Sequence, residues 1–430
     1  MKTKRWTFLA LLLTAFLFYA VPQATAADPD WSNLAPKGEG KSVTDWPVGV
    51  TKYNQKEAYK GFTLWCSMGQ KGKVYLMDMK GKVVHTWNMP LPPGNYGFLL
   101  ENGNLLYAGR TKFGHGGSDH HMSGKGGVVY EESWDGDTIT KLYQPNQHHD
   151  FDKMPNGNYL AILWEPLPRD MWSRVIGGVP GTEFSDGVIF EEKIVEVDPQ
   201  NNVVWEWLPS QHLSFQDYPV GPLDDRLEWL HANSLDYLPA GNPITGKEAV
   251  MISLRHPSTC IIVDKASGNV VWRYGGFIEG EWGRLGQQHD FSMIPENLPG
   301  GGNILIFDNG DKLPSVKAAN MYWGIAHSRV LEIDPDDKDV KWEYDHEDKD
   351  WQFPIPQKDK FHSGYISGAQ RLPNGNTLIC DGAHGRIFEV TKKKEIVWEF
   401  INPEQKAIFR AYRYGPDFPG FKGKNLPNPN

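Results

Sequence analysis

The chain has 430 residues, and its 53 acidic side chains outnumber 44 Lys and Arg for a formal net charge of −9. An acidic balance without a clustered basic run excludes a nucleic-acid partner. Three cysteines, Cys66, Cys260 and Cys380, are too few for a disulfide framework and match no common zinc spacing, although a Cys66–Cys380 pair stays open in an oxidising compartment.

At the N-terminus, Lys2, Lys4 and Arg5 precede an apolar run that starts at Trp6, and "ATA" stands just before Ala27. A charged head, a short apolar core and an A-x-A site predict a secretory signal peptide over residues 1–26. The run is short for a membrane span. The expectation is therefore an exported protein, periplasmic or extracellular, with no membrane span after cleavage. Residues 27–58 read as an N-terminal extension and 59–430 as one repetitive catalytic domain.

Three short patterns then recur in fixed order, six times each. The first is an apolar run, usually after a Gly-Asn turn: "GFTLWC" at 61, "GNLLYA" at 103, "GNYLAI" at 157, "EAVMIS" at 248, "GNILIF" at 302 and "GNTLIC" at 375. The second alternates and often ends in an acid, as in "KVYLMD", "KIVEVD" and "RVLEID". The third is "VVHTW", "TITKLY", "VVWEW", "VVWRY", "VKWEY" and "IVWEF". β-Branched and aromatic residues between turn signals predict strands, and repetition at this period predicts a ring or solenoid.

A fourth strand must precede each Gly-Asn turn, around residues 95–101, 149–154, 233–238, 289–294 and 367–372. The first repeat lacks one, because "DWPVGVTKYNQKEAYK" reads as a poor strand. The last repeat leaves thirty residues after "IVWEF", including "AIFRAYRY" at 407–414. The predicted fold is all-β: a six-bladed β-propeller whose blade one is closed by strands from both termini, leaving no long open edge.

In such a ring the innermost strand of each blade lines the central channel. Counting six residues back from each turn proline, or its equivalent, gives Asn95, His149, Asn233, His289 and Ser367, with His231 two residues before Asn233. All are polar, and the fixed spacing brings them to one level. Arg255 ends the strand that follows the His231 strand, where its planar fork of donors suits an oxyanion. Arg410 and Arg413 in the closing segment are weaker candidates of the same kind. Trp205, Trp207, Trp272, Trp342 and Trp398 read as packing between blades. Tyr96, Phe151, Phe291 and Tyr365 can stack on an aromatic ring or serve the core.

Histidines with an arginine and no carboxylate cluster suit attack on an anionic tetrahedral centre, sulfuryl or phosphoryl. No glycine-rich nucleotide motif occurs, so no nucleotide donor or other cofactor is indicated. Three readings stay open: a group transferase, a metal-dependent hydrolase or lactonase-like propeller with the channel histidines as ligands, and a non-catalytic binding propeller. His115, His120 and His121 in "FGHGGSDHH" first read as a loop, and the Asp-rich turn "DPDDKD" as a solvated hairpin, with metal binding open for both.

The segments "HHDF", "HANSLDYLP", "SLRHPSTCIIVDKASGNVVWRYGG" and "QQHDFS", in this order, resemble the bacterial arylsulfate sulfotransferases. The resemblance covers residues 60 to 415. It implies an exported six-bladed propeller that moves a sulfuryl group from an aryl sulfate to a phenol, by a ping-pong cycle and without a nucleotide sulfate donor. It makes His289 the nucleophile of a sulfohistidine, with Arg255, His149, His231 and Asn233 at the remaining channel positions and no metal. The partners it implies are small molecules only. Family members that dimerise use an N-terminal β-sandwich, whereas only about 30 residues stand here between the expected cleavage site and the first blade strand, so the oligomeric state stays open. The closely spaced cysteine pair of some members is also missing.

Overall fold

A computed structural model describes residues 47–69, 71–112, 122–277, 284–310, 327–345 and 361–430. The strands form six antiparallel sheets, the blades of a β-propeller. Blade two runs outward from Pro93–Leu99 and blade three from Gln147–Lys153; blade four starts at Ala232–Leu238 and blade five at His289–Met293. Blade six starts at Gly368–Arg371. In blade one the inner position is taken by Tyr412–Tyr414 from the C-terminal segment, paired with Phe62–Trp65. The N-terminal Gly49–Tyr53, within the stretch read as an extension, adds a fifth, outermost strand to blade six against Ile396–Ile401. That strand was illegible because its side chains are only half-covered, so no clear alternation marks it.

Burial explains why the three patterns differ. The second strand of each blade is covered on both faces by neighbouring blades, so Ala249–Leu254 is wholly buried and its sequence is a continuous apolar run. The outermost strands face solvent on one side, and Val203–Trp207 is mostly exposed.

Two side-chain devices repeat around the ring. The Asn of the Gly-Asn turn donates to the acid of the third strand at 2.5–2.7 Å: Asn104 to Glu131, Asn158 to Glu196, Asn303 to Glu332 and Asn376 to Glu389. That is why both residues recur, since a buried carboxylate must be hydrogen-bonded. The outer-strand tryptophans donate their indole N–H to carbonyls of the next blade: Trp205 to Lys265, Trp207 to Gly268, Trp272 to Pro335, Trp342 to Lys392 and Trp398 to Met79. They act between blades, as the sequence predicted.

A third device closes the channel. Tyr96 donates to Asp150, joining blades two and three, and the other Asp150 oxygen accepts the Leu235 N–H of blade four at 2.9 Å. Ser234 accepts from Phe291 N–H, and Asp290 from Ala369 N–H. Gln370 accepts from Arg413 N–H, and Tyr414 accepts from Leu99 N–H. Each of the six blade interfaces thus has at least one polar link at the inner strands. Cys66, Cys260 and Cys380 are buried free thiols, so the Cys66–Cys380 pair is not formed. In the Asp-rich turn, Asp334 and Asp337 are taken up by Lys341 and turn N–H groups.

Candidate active site

The inner strands do not run straight through the channel. The strand register shifts at His149–Asp150 in blade three, at Asn233 in blade four and at Asp290 in blade five. His149 and Asp290 take positive φ values of 49° and 48°, and His231, just ahead of its strand, takes 53°. Such bulges re-aim side chains and cost conformational energy that the surrounding sheets must supply. Their effect is to turn His149, His231 and His289 into one cavity of about 200 Å³, which Arg255 and the rings of Tyr365 and Phe409 also line. The His149 and His231 rings lie 4.7 Å apart, and Phe409 stands 6.5 Å from both His149 and His289.

The hydrogen bonds fix the state of His289. Asn309 directs its amide N–H₂ to the carbonyls of Ser363 and Ile366, at 2.6 and 3.0 Å, which leaves its Oδ1 facing His289 Nδ1 at 2.7 Å. An amide oxygen can only accept, so Nδ1 carries the proton. Nε2 then holds the lone pair, in agreement with the Ile366 N–H that donates to it at 3.2 Å. Burial, and then the nearby Arg255 charge, push the His289 pKa down to about 3, so the ring stays neutral.

His231 is held differently. Its Nδ1 lies 2.6 Å from Glu228 Oε1, and the other Glu228 oxygen accepts the Trp164 indole N–H at 2.8 Å. The carboxylate keeps the proton on Nδ1 and leaves Nε2 as the basic nitrogen. His149 shares a 2.7 Å Nδ1–Nδ1 hydrogen bond with His148, whose ring stacks on Trp164. Burial is the first cause, and neighbouring cationic and imidazole groups the second, that hold His149 and His231 well below the ordinary histidine range. Arg255 stands at the cavity edge, donating to Gln287 Oε1 at 2.8 Å and 3.6 Å from Asp224 Oδ1.

Of the residues singled out in the sequence, His149, His231, His289, Arg255 and Asn95 meet at this cavity. Asn95 uses its amide N–H₂ to hold the carbonyls of His149 and Gly124, a supporting position. Asn233 and Ser367 are not among the residues lining it. Asn233 donates to the Gln288 carbonyl, and Ser367, at φ 90°, donates to Ser363 and accepts the Gly382 N–H. A register shift at Asn233 and the positive φ of Ser367 re-aim these two side chains, which counting along a regular strand does not anticipate. Arg413 is buried against Glu389 and Thr63, away from the histidines. Arg410 lies beneath them, between Asp150 and Asp290. Tyr96, Phe151 and Phe291 line a larger cavity of about 270 Å³ beyond Arg410, which holds acids and aromatics but no histidine; Tyr365 faces the histidine cavity. His115, His120 and His121 lie outside the described residues.

Four contributors escaped the sequence reading: Asn309, Glu228, His148 and Gly124. The Gly124 carbonyl accepts from His149 N–H at 2.7 Å, and a Cβ there would meet the His149 ring at 2.3 Å. Glu228 stands three residues before His231, and that spacing was the one readable signal.

Comparison with solved structures finds matches of low similarity. A protein of unknown function from Bacteroides caccae is 11% identical with a TM-score of 0.48, covering 82% of this chain and 98% of the other. A streptogramin B lyase is 10% identical with a TM-score of 0.41, covering 84% of each chain. Kuenenia stuttgartiensis hydrazine synthase is 14% identical with a TM-score of 0.42, covering 84% of this chain and 80% of the other. None of these bears on the chemistry of the site, and no curated protein matches in sequence. The arylsulfotransferase (ASST) family model, by contrast, matches residues 48–414, which take in all six blades and every histidine of the cavity, and the chain belongs to that family.

Proposed function

We propose that this protein is an aryl sulfotransferase working through a sulfohistidine at His289, by a ping-pong cycle. The observation that carries the reading is the tautomer of His289: Asn309 holds the proton on Nδ1, which leaves a neutral, nucleophilic Nε2 on a histidine that lines the cavity. In the first half-reaction Nε2 attacks the sulfur of an aryl sulfate. The N–S bond forms, the S–O bond to the aryl group breaks, and the aryl group leaves as phenolate, which takes its proton from solvent. In the second half-reaction an acceptor phenol gives its proton to His231 Nε2, which passes it to solvent, and the phenol oxygen takes the sulfuryl group as its bond to His289 Nε2 breaks. Arg255 is placed to neutralise the sulfuryl oxygens, whose charge is spread over equatorial positions in a loose transition state. The Ile366 N–H at Nε2 becomes a donor to one of those oxygens. The Glu228 carboxylate supports His231 as the proton acceptor by holding Nδ1–H. Tyr365 and Phe409 supply an apolar wall for a phenyl ring.

The basic head, apolar core and "ATA" of residues 1–26 support export to the periplasm or beyond, which fits a chain that handles small aryl esters. Purified mature protein incubated in EDTA with p-nitrophenyl sulfate, with and without phenol, tests the activity. Phenol-dependent nitrophenol release is expected. Release independent of an acceptor would make the protein a hydrolase, and no release would remove the transferase reading.

A further inference from the structure

Glu228, His231 and His256 are buried on one wall of the histidine cavity, and their donor atoms all lie within 4.8 Å of one another. His256 belongs to the turn that follows the Arg255 strand, and the two segments are fastened by backbone bonds from His256 N–H to Leu230 and from Arg255 N–H to His231. The cluster is therefore prearranged, not assembled from mobile side chains.

Two of the three members are also oriented from behind. Glu228 Oε2 accepts from the Trp164 indole. His256 Nδ1 lies 3.3 Å from the Trp229 carbonyl, which can only accept, so Nδ1 bears the proton and Nε2 the lone pair. A carbonyl behind one imidazole and a donor behind a carboxylate are the supports that orient metal ligands. Two imidazoles and one carboxylate, opening on a cavity, form a donor set suited to zinc or another borderline divalent ion rather than magnesium or calcium.

We propose that Glu228, His231 and His256 form an inhibitory binding site for Zn²⁺. The inference rests on the reading of His231 as the base. An ion at this site replaces the proton now held between His231 Nδ1 and Glu228 Oε1. That proton moves to His231 Nε2, which then donates and no longer accepts. Metal occupancy and proton acceptance by His231 exclude one another. The positive Arg255 guanidinium on the same cavity opposes the ion, so binding is weaker than at a structural zinc site.

Isothermal titration of the EDTA-stripped, desalted mature protein with ZnCl₂ tests this, with MgCl₂ as the control and Co²⁺ absorption as a second probe of coordination. The expected result is one equivalent of Zn²⁺, no response to Mg²⁺, and an intense visible Co²⁺ band. His256→Asn and Glu228→Gln should each weaken Zn²⁺ binding tenfold or more. Inhibition, read as the ratio of each protein's own rates with and without Zn²⁺, should vanish in His256→Asn. Retained wild-type affinity in both variants, or no saturable binding, would overturn the site. Zn²⁺ stimulation of turnover would overturn the inhibitory role. Zn²⁺ binding by a protein with no metal-free sulfuryl transfer would leave the site standing and sink the transferase reading, so the two failures are distinguishable.

Discussion

Arg410 Nη1 lies 2.8 Å from Asp150 Oδ2, and the same guanidinium reaches Asp290 Oδ1 at 3.3 Å. Asp150 follows His149 and Asp290 follows His289, so one cation from the C-terminal segment holds the acids of both His-Asp pairs. Tyr96 joins the group as a donor to Asp150 and acceptor from Arg410. The segment that closes the ring thereby also carries the floor of the histidine cavity.

Removal of that cation leaves two buried acids without it. Arg410→Met is expected to cost about 3–5 kcal/mol of folding stability, the usual penalty for breaking a buried ion pair by truncating one partner. Urea denaturation of wild type and variant checks it. A loss of about 1 kcal/mol or less would mean the group is solvated and behaves as a surface pair.

Gly124 is a steric requirement of the site. Its φ is +77°, and any Cβ at this position would come within 2.3 Å of the His149 ring, which leaves no room for a side chain. Gly124→Ala should push His149 off its bond with His148 and reduce transfer on the order of 100-fold, as misplacement by about 1 Å does. Circular dichroism should stay unchanged. Activity within twofold of wild type would show that His149 needs no fixed position.

Asn309 sets the tautomer of the proposed nucleophile. Asn309→Ala frees Nδ1 and lets the proton occupy Nε2, so single-turnover transfer from p-nitrophenyl sulfate should fall by about 10²–10⁴-fold, the range seen when a histidine tautomer is lost. KM should change less than kcat, because Asn309 does not line the cavity. A pure KM effect would assign Asn309 to substrate binding.

Much of this was legible in the sequence, and the rest was hidden for identifiable reasons. Apolar runs, alternation and turn residues marked five of the six blades completely, because burial on one or two faces imposes those patterns. Of the residues six before each turn, Asn95, His149 and His289 line one cavity, while Asn233 and Ser367 do not. A strand read as regular gives all of them one orientation, and the register shift at Asn233 and the positive φ of Ser367 break that alternation. Asn309 and Glu228 were missed because they come from loops, where sequence spacing does not reveal what a side chain faces.

The pH dependence follows from the sign of the His289 shift. Its pKa moves from 6.5 down to about 3, so the neutral, nucleophilic form persists as pH falls. The rate of sulfuryl transfer onto the enzyme should therefore stay flat from about pH 8 to about pH 5 in single-turnover stopped flow. A rate that halves near 6.5 would show an exposed, ordinary imidazole. The same shift opposes folding in acid. The unfolded ring takes a proton below 6.5 and the folded ring only near 3, so this contribution to stability is lost as pH falls across that window.

The proposed cycle turns on a covalent sulfuryl group carried by one nitrogen, His289 Nε2. Intact-mass analysis of wild type and His289→Ala, quenched after mixing with p-nitrophenyl sulfate in EDTA without acceptor, tests it most directly. One added SO₃ is expected on wild type, mapped to His289 by peptide sequencing and discharged by phenol, and none on the variant. An adduct that persists in His289→Ala, or turnover by wild type with no adduct at any time, would contradict it.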